Sequence, residues 1–94
     1  MTAPAQATVQ QGFPCDVGLQ KISNNETSTI NVSATCATAR TVGVRISAGD
    51  TELANAEIDV KAGVQRTFSI TVPKVERVCA TLETDGESLA VCSG

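Results

Sequence analysis

Cys79-Ala80-Thr81-Leu82-Glu83-Thr84-Asp85-Gly86-Glu87-Ser88-Leu89-Ala90-Val91-Cys92 is the stretch whose reading decides the fold. Asp85-Gly86 is a strong signal for a two-residue hairpin turn, because that turn needs positive φ at both central residues. With this pair as the loop, residues face each other when their numbers sum to 171, which Cys79 and Cys92 do. Counting outward from Thr84 and Glu87, the two cysteines fall on a non-hydrogen-bonded pair. Side chains lie closest there, at a Cα separation of about 4.5 Å, within disulfide range. The same counting places Cys15 opposite Cys36 if Asn25-Glu26 is the loop within Asn24-Asn25-Glu26-Thr27. That turn is chemically weaker than Asp-Gly. Two hairpins, each bridged within itself, are therefore predicted.

Period-two alternation runs outward from this hairpin through most of the chain. Val17 and Leu19 follow Cys15 on alternate positions, and Ile30, Val32, Ala34 and Cys36 alternate with Thr29, Asn31, Ser33 and Thr35. Val42, Val44 and Ile46 precede an Ala48-Gly49-Asp50 turn, and Ala56, Ile58 and Val60 precede Ala62-Gly63. Val64, Phe68, Ile70 and Val72 come next, ended by Pro73, which cannot continue a central strand. Val78, Ala80, Leu82, Leu89 and Val91 complete the last hairpin. No ten-residue stretch has helical apolar spacing with a cap. Glu52–Glu57 has helical propensity but strand-like neighbours, and reads as a short edge strand or loop. About seven short strands separated by regular turns predict an all-β chain, a small antiparallel β-sandwich. A small β-barrel is the alternative, since it shows the same alternation.

Arg40 to Pro73 resembles the middle of many immunoglobulin-like extracellular modules: strand, short turn, exposed strand, Ala-Gly turn, then Phe68-x-Ile70-x-Val72. The chain departs from true immunoglobulin domains in having no central Trp and a different cysteine spacing. The resemblance implies a fold class and names no family.

The 94 residues make a single domain, read as residues 13–94 behind a flexible N-terminal arm at 1–12. Ala3-Pro4-Ala5-Gln6-Ala7 in the arm has the A-x-A look of a signal-peptide remnant; a disordered Ala/Pro-rich arm is the alternative. With no Trp, no Tyr and two Phe, the core is left to aliphatic side chains, which bury less area each. Two disulfides offset that shortfall, each by about 3 kcal/mol. An even cysteine count points to an oxidising compartment, so the chain is expected to be secreted, extracellular or periplasmic. A four-thiolate zinc site is disfavoured because no C-x-x-C spacing occurs. Phase separates the bridges: Cys15–Cys36 shares the face of Val17, Ile30 and Val32 and is expected inside. Cys79–Cys92 alternates with Val78, Ala80, Leu82 and Val91 and is expected outside.

The chain has no histidine, which removes the commonest general base and most zinc and copper sites. No phosphate loop, GxSxG elbow or HExxH is present. Asp50, Glu52, Glu57 and Asp59, and Glu83, Asp85 and Glu87, are the carboxylates left for a metal or acid/base site. Glu57 and Asp59 alternate with core positions, however, and Asp85 is explained by the turn. Catalytic, cofactor and metal sites are therefore all expected to be none. A net charge of −3, with seven scattered basic residues, argues against nucleic acid or an anionic membrane surface as the main partner, and with no apolar run near ~20 residues membrane insertion is not expected. Asn25 and Asn31 stand in Asn-x-Ser/Thr sequons, which mark glycosylation only in a eukaryotic secreted chain.

Surface recognition remains. The expected binding surface is Gln20, Asn31, Ser33 and Thr35 on the outer face of the first hairpin, beside Asp16 and Gly18. Phe13 precedes the first strand, as an exposed anchor or as a cover for the core end. The function expected is a secreted, non-enzymatic module that binds an extracellular protein or glycan; a small disulfide-stabilised inhibitor or effector of another secreted or host protein is the alternative.

Non-reduced trypsin digestion tests the pairing. The peptide ending at Lys21 should be linked to the one ending at Arg40, with Cys79 and Cys92 bridged inside the peptide starting at Val78. Any link between an early and a late cysteine overturns the two-hairpin arrangement.

Overall fold

The computed structural model describes residues 13–93; the expected arm at 1–12 lies outside the described residues. Seven strands form: β1 (Cys15–Ser23), β2 (Thr27–Cys36), β3 (Arg40–Ala48), β4 (Thr51–Val60), β5 (Arg66–Pro73), β6 (Val78–Thr84) and β7 (Glu87–Ser93). They make two antiparallel sheets, one in the order β1-β2-β5 and one in the order β4-β3-β6-β7. The chain crosses between the sheets after β2, β4 and β5, as Greek-key sandwiches do. Among the described residues no ladder joins β1 to β7 or β4 to β5, so the two sheets do not close on each other and the alternative of a barrel is not realised.

Both bridges form as the registers require. Cys15 faces Cys36 and Cys79 faces Cys92, with Cα separations of 4.1 and 4.0 Å. The first is buried, at 3% and 1% exposure, whereas Cys79 is half-buried and Cys92 exposed. Asp85 and Gly86 have φ of 53° and 80°, the left-handed pair that a two-residue hairpin turn demands. The first hairpin reaches its register differently. No residue of Asn24–Thr27 has positive φ; instead Asn24 Oδ1 accepts the main-chain N–H groups of Glu26 and Thr27, both at 2.7 Å. An Asx turn thus supplies what Asp-Gly supplies at the other hairpin.

The core is aliphatic. Ile30, Val32 and Ala34 of the smaller sheet meet Val42, Val44, Ile46, Val78, Ala80 and Leu82 of the larger, all essentially inaccessible. Phe68, Ile70 and Val72 pack against this cluster from β5, half-buried at the margin. Ser28, fully buried, accepts the N–H of Val75 at 3.1 Å and shares a 2.8 Å hydrogen bond with Ser23. Lys21 donates to the carbonyls of Val75 and Glu76, and Lys74 N–H donates to Glu26. The β5–β6 connection is therefore tied to the tip of the first hairpin.

Two local expectations change, and the end of β1 adds a feature that the alternation did not indicate. Glu52–Glu57 is not a short strand or loop but part of a ten-residue edge strand. A β-bulge accommodates it: Ile46 pairs with Ala54 and Ser47 with Glu52, leaving Leu53 as the extra residue. Pairing with β3 overrides helical propensity. Val64 does not join the inner face of β5; the chain turns at Gly63 (φ 71°), and Val64 is left 49% exposed in the connection. At the end of β1 the bridged register puts Lys21 opposite buried Ile30 and leaves Ile22 outside, 55% exposed.

Ser28→Ala leaves the Val75 N–H without its partner. Urea denaturation should show a loss of about 1–3 kcal/mol. Ile46→Ala, which opens a cavity between the sheets, should cost about 2–5 kcal/mol.

Candidate functional site

Because alternate residues of a strand share a face, the inward phase of Ile30, Val32, Ala34 and Cys36 sends Thr29, Asn31, Ser33 and Thr35 outward. Registration with β1 sets Gln20 beside Asn31, Gly18 beside Ser33 and Asp16 beside Thr35. Registration with β5 sets Ser69 beside Asn31, Thr67 beside Ser33 and Thr71 beside Thr29. The result is an outer face built mainly from amides, hydroxyls and one glycine, with Asp16 as the charged group at one corner and exposed Ile22 beside Thr29 at the hairpin end.

Hydrogen bonds organise its middle. Ser69 Oγ donates to Asn31 Oδ1 at 2.6 Å, and Asn31 Nδ2 donates to Gln20 Oε1 at 3.3 Å, a chain that crosses all three strands. Thr29 and Thr71 hydroxyls meet at 3.2 Å. Next to this chain lies a depression of about 330 Å³, lined by Gly18, Leu19, Gln20, Asn31, Ser33, Gln65 and Thr67. Gly18 makes room for it: a Cβ there would lie 2.8 Å from Ser33 Oγ. The side chains of Ser33, Gln65 and Thr67 make no hydrogen bond among the described residues. Their donors and acceptors are available to a ligand.

The expected surface residues thus divide. Gln20, Asn31, Ser33 and Thr35 lie on one face, and the first three line the depression. Phe13 is half-buried and packs against the core cluster, at the cover position rather than on that face. Gln65, Thr67, Ser69 and Thr71 were not among the expected residues. For Thr67, Ser69 and Thr71 the signal was present in the phase opposite Phe68, Ile70 and Val72, but only the β2–β5 pairing places them beside Ser33, Asn31 and Thr29; Gln65 precedes β5 and reaches the depression from the connection.

The carboxylates go elsewhere. Asp85 pairs with Arg40 at 2.5 Å, Glu52 with Arg45 at 3.4 Å, and Asp59 accepts the Thr41 hydroxyl at 2.9 Å. Glu57 and Glu83 stand on either side of Gly43, two strands apart, beside a second hollow of about 290 Å³ on the larger sheet. Their backbones are roughly 10 Å apart at two strand spacings. No group of three or more metal-ligating side chains occurs among the described residues, and no helix of the structure is long and apolar enough to cross a membrane.

The geometry defines a small, disulfide-bridged, all-β sandwich whose β1-β2-β5 sheet carries a mostly uncharged polar outer face, with Asp16 at one corner. No family model matches the chain, and no curated protein matches it. Among solved structures it is similar to a β-glucosidase from Kluyveromyces marxianus, at 10% identity and a TM-score of 0.52. The match covers 84% of this chain and 14% of that one, so the chain spans a small part of that enzyme's length. At this identity the likeness concerns the fold alone.

Asn31→Ala deletes both cross-strand side-chain bonds and should lower stability by about 1 kcal/mol in urea denaturation. Arg45→Ala, which removes an ion pair with both partners more than half exposed, should change it by less than about 0.5 kcal/mol.

Proposed function

We propose that this chain is a secreted, non-enzymatic binding module that acts at the cell exterior through the outer face of β1-β2-β5. The supporting observation is the unpartnered set Ser33, Gln65 and Thr67 around the depression at Gly18. Ser33 and Thr67 are short and lose little conformational entropy when they are ordered by a ligand. A face without lysine or glutamate also spares a ligand the cost of desolvating charge. Its partner is an extracellular protein or glycan that presents uncharged hydrogen-bonding groups. Two disulfides and the lack of histidine agree with an oxidising location and a non-catalytic role.

A second reading, an inhibitor or effector of another secreted or host protein, is favoured by Val64. It is half exposed on a connection held by Gly63 N–H to Cys36 O at 2.8 Å and Val64 N–H to Lys61 O at 3.1 Å. A constrained loop with an apolar tip can enter a pocket.

Affinity capture from extracellular extracts and a glycan array will identify the partner. Ser33→Lys and Thr67→Glu should each weaken its binding at least about tenfold, equal to 1.4 kcal/mol, with thermal unfolding unchanged. Thr81→Lys on the opposite sheet should bind as the parent does. Full binding by both face variants removes this surface from consideration; loss on Val64→Asp instead selects the inhibitor reading.

A further inference from the structure

We propose that the two bridges have different roles: Cys15–Cys36 is a locked structural link, and Cys79–Cys92 is a thiol-accessible clasp whose reduction frees β7 from a sandwich that stays folded. Thiol–disulfide exchange needs a thiolate to approach one sulfur along the S–S axis, so access governs which bridge reacts. Cys92 is exposed on the outer face of the larger sheet, and its partner Cys79 is half-buried. Cys15 and Cys36 are buried at 3% and 1% exposure, and Cys36 O also accepts the Gly63 N–H. A reductant reaches that pair only after the sheets part.

Strand β7 is also the element the fold can release most readily. It lies at the margin of β4-β3-β6-β7 and, among the described residues, has a ladder on one side alone, with β6. Of the buried apolar core it supplies Leu89 and no other residue, with Val91 half-buried behind it. The remaining buried side chains belong to β1, β2, β3, β4 and β6. Departure of β7 uncovers one edge of the core without emptying it. By contrast β2, which carries Cys36, lies between two strands and supplies four buried apolar residues.

The step balances with a dithiol as reductant, either a small molecule or a redox protein with a paired-cysteine centre. One of its thiolates attacks Sγ of Cys92, the S–S bond breaks, and Cys79 leaves as a thiolate that takes up a proton. The second thiol of the reductant then displaces Cys92 from the mixed disulfide and closes its own disulfide. Two electrons pass to the protein, and both cysteines end as thiols. Unpaired, the outer edge of β6 then offers its N–H and C=O groups to another strand.

The test is a dithiothreitol titration of the native chain, quenched by alkylation and read by mass spectrometry, with backbone hydrogen exchange on the same samples. Cys79 and Cys92 should be labelled at least about tenfold faster than Cys15 and Cys36. Exchange should accelerate in Glu87–Ser93 while Ile30, Val32 and Ala34 stay protected. Equal labelling rates, or Cys15–Cys36 opening first, overturn the proposal. So does selective reduction with no change of exchange in β7. The double variant Cys79→Ala/Cys92→Ala reads the released state without reductant: a folded sandwich with a fast-exchanging β7 is expected, and a chain that no longer folds refutes the clasp.

Discussion

The arrangement of this sandwich depends on the register of β1 against β2, held by the buried Cys15–Cys36 bridge. Strand side chains alternate with period two, so a one-residue slip would turn every inward residue outward. Ile30, Val32 and Ala34 would face water, and Asn31 and Ser33 would enter the core. A disulfide fits only where two Cα atoms approach closely; here they stand 4.1 Å apart. The bridge thus admits one register and with it one division of inside from outside. Since β2 also pairs with β5, the same constraint passes across the whole smaller sheet.

A core without Trp or Tyr puts unusual weight on such constraints. Aliphatic residues pack well between sheets but bury less surface each, so the ends of the sandwich need their own fastening. At one end Ser28, Lys21 and Glu26 hold the connection that contains Val75. At the other, Arg40 reaches Asp85 at the tip of the last hairpin and Thr38 at 2.6 Å, and the Thr84 hydroxyl donates to Thr41 O at 2.9 Å. These polar contacts limit fraying where the apolar layer runs out.

Half of the candidate face was legible in the chain. Asn31, Ser33 and Thr35 follow from the phase of β2, and Gln20 and Gly18 follow from hairpin counting, both local properties. Thr67 and Ser69 were out of reach because β5 joins β2 from more than thirty positions away in sequence. Nothing local states which strand adopts which neighbour. Val64 shows the converse error: its parity matches Phe68 and Ile70, yet parity carries meaning only inside a strand, and β5 begins at Arg66. Leu53 was hidden for a related reason, since a bulge is a property of two paired strands and not of one.

What the amino-acid order determined by itself was everything that depends on near neighbours: strands rather than helices, the Asp85-Gly86 turn, both cysteine pairings, and which bridge lies inside. These follow from period-two phase and from hairpin registers counted over about ten residues on either side of a turn. The division into sheets β1-β2-β5 and β4-β3-β6-β7, the bulge at Leu53 and the Gly18 depression beside Gln65 and Thr67 were decided only in the tertiary structure. They arise when distant strands compete for the same hydrogen-bonding edges and the same apolar layer, and that competition is resolved only when the whole chain is packed.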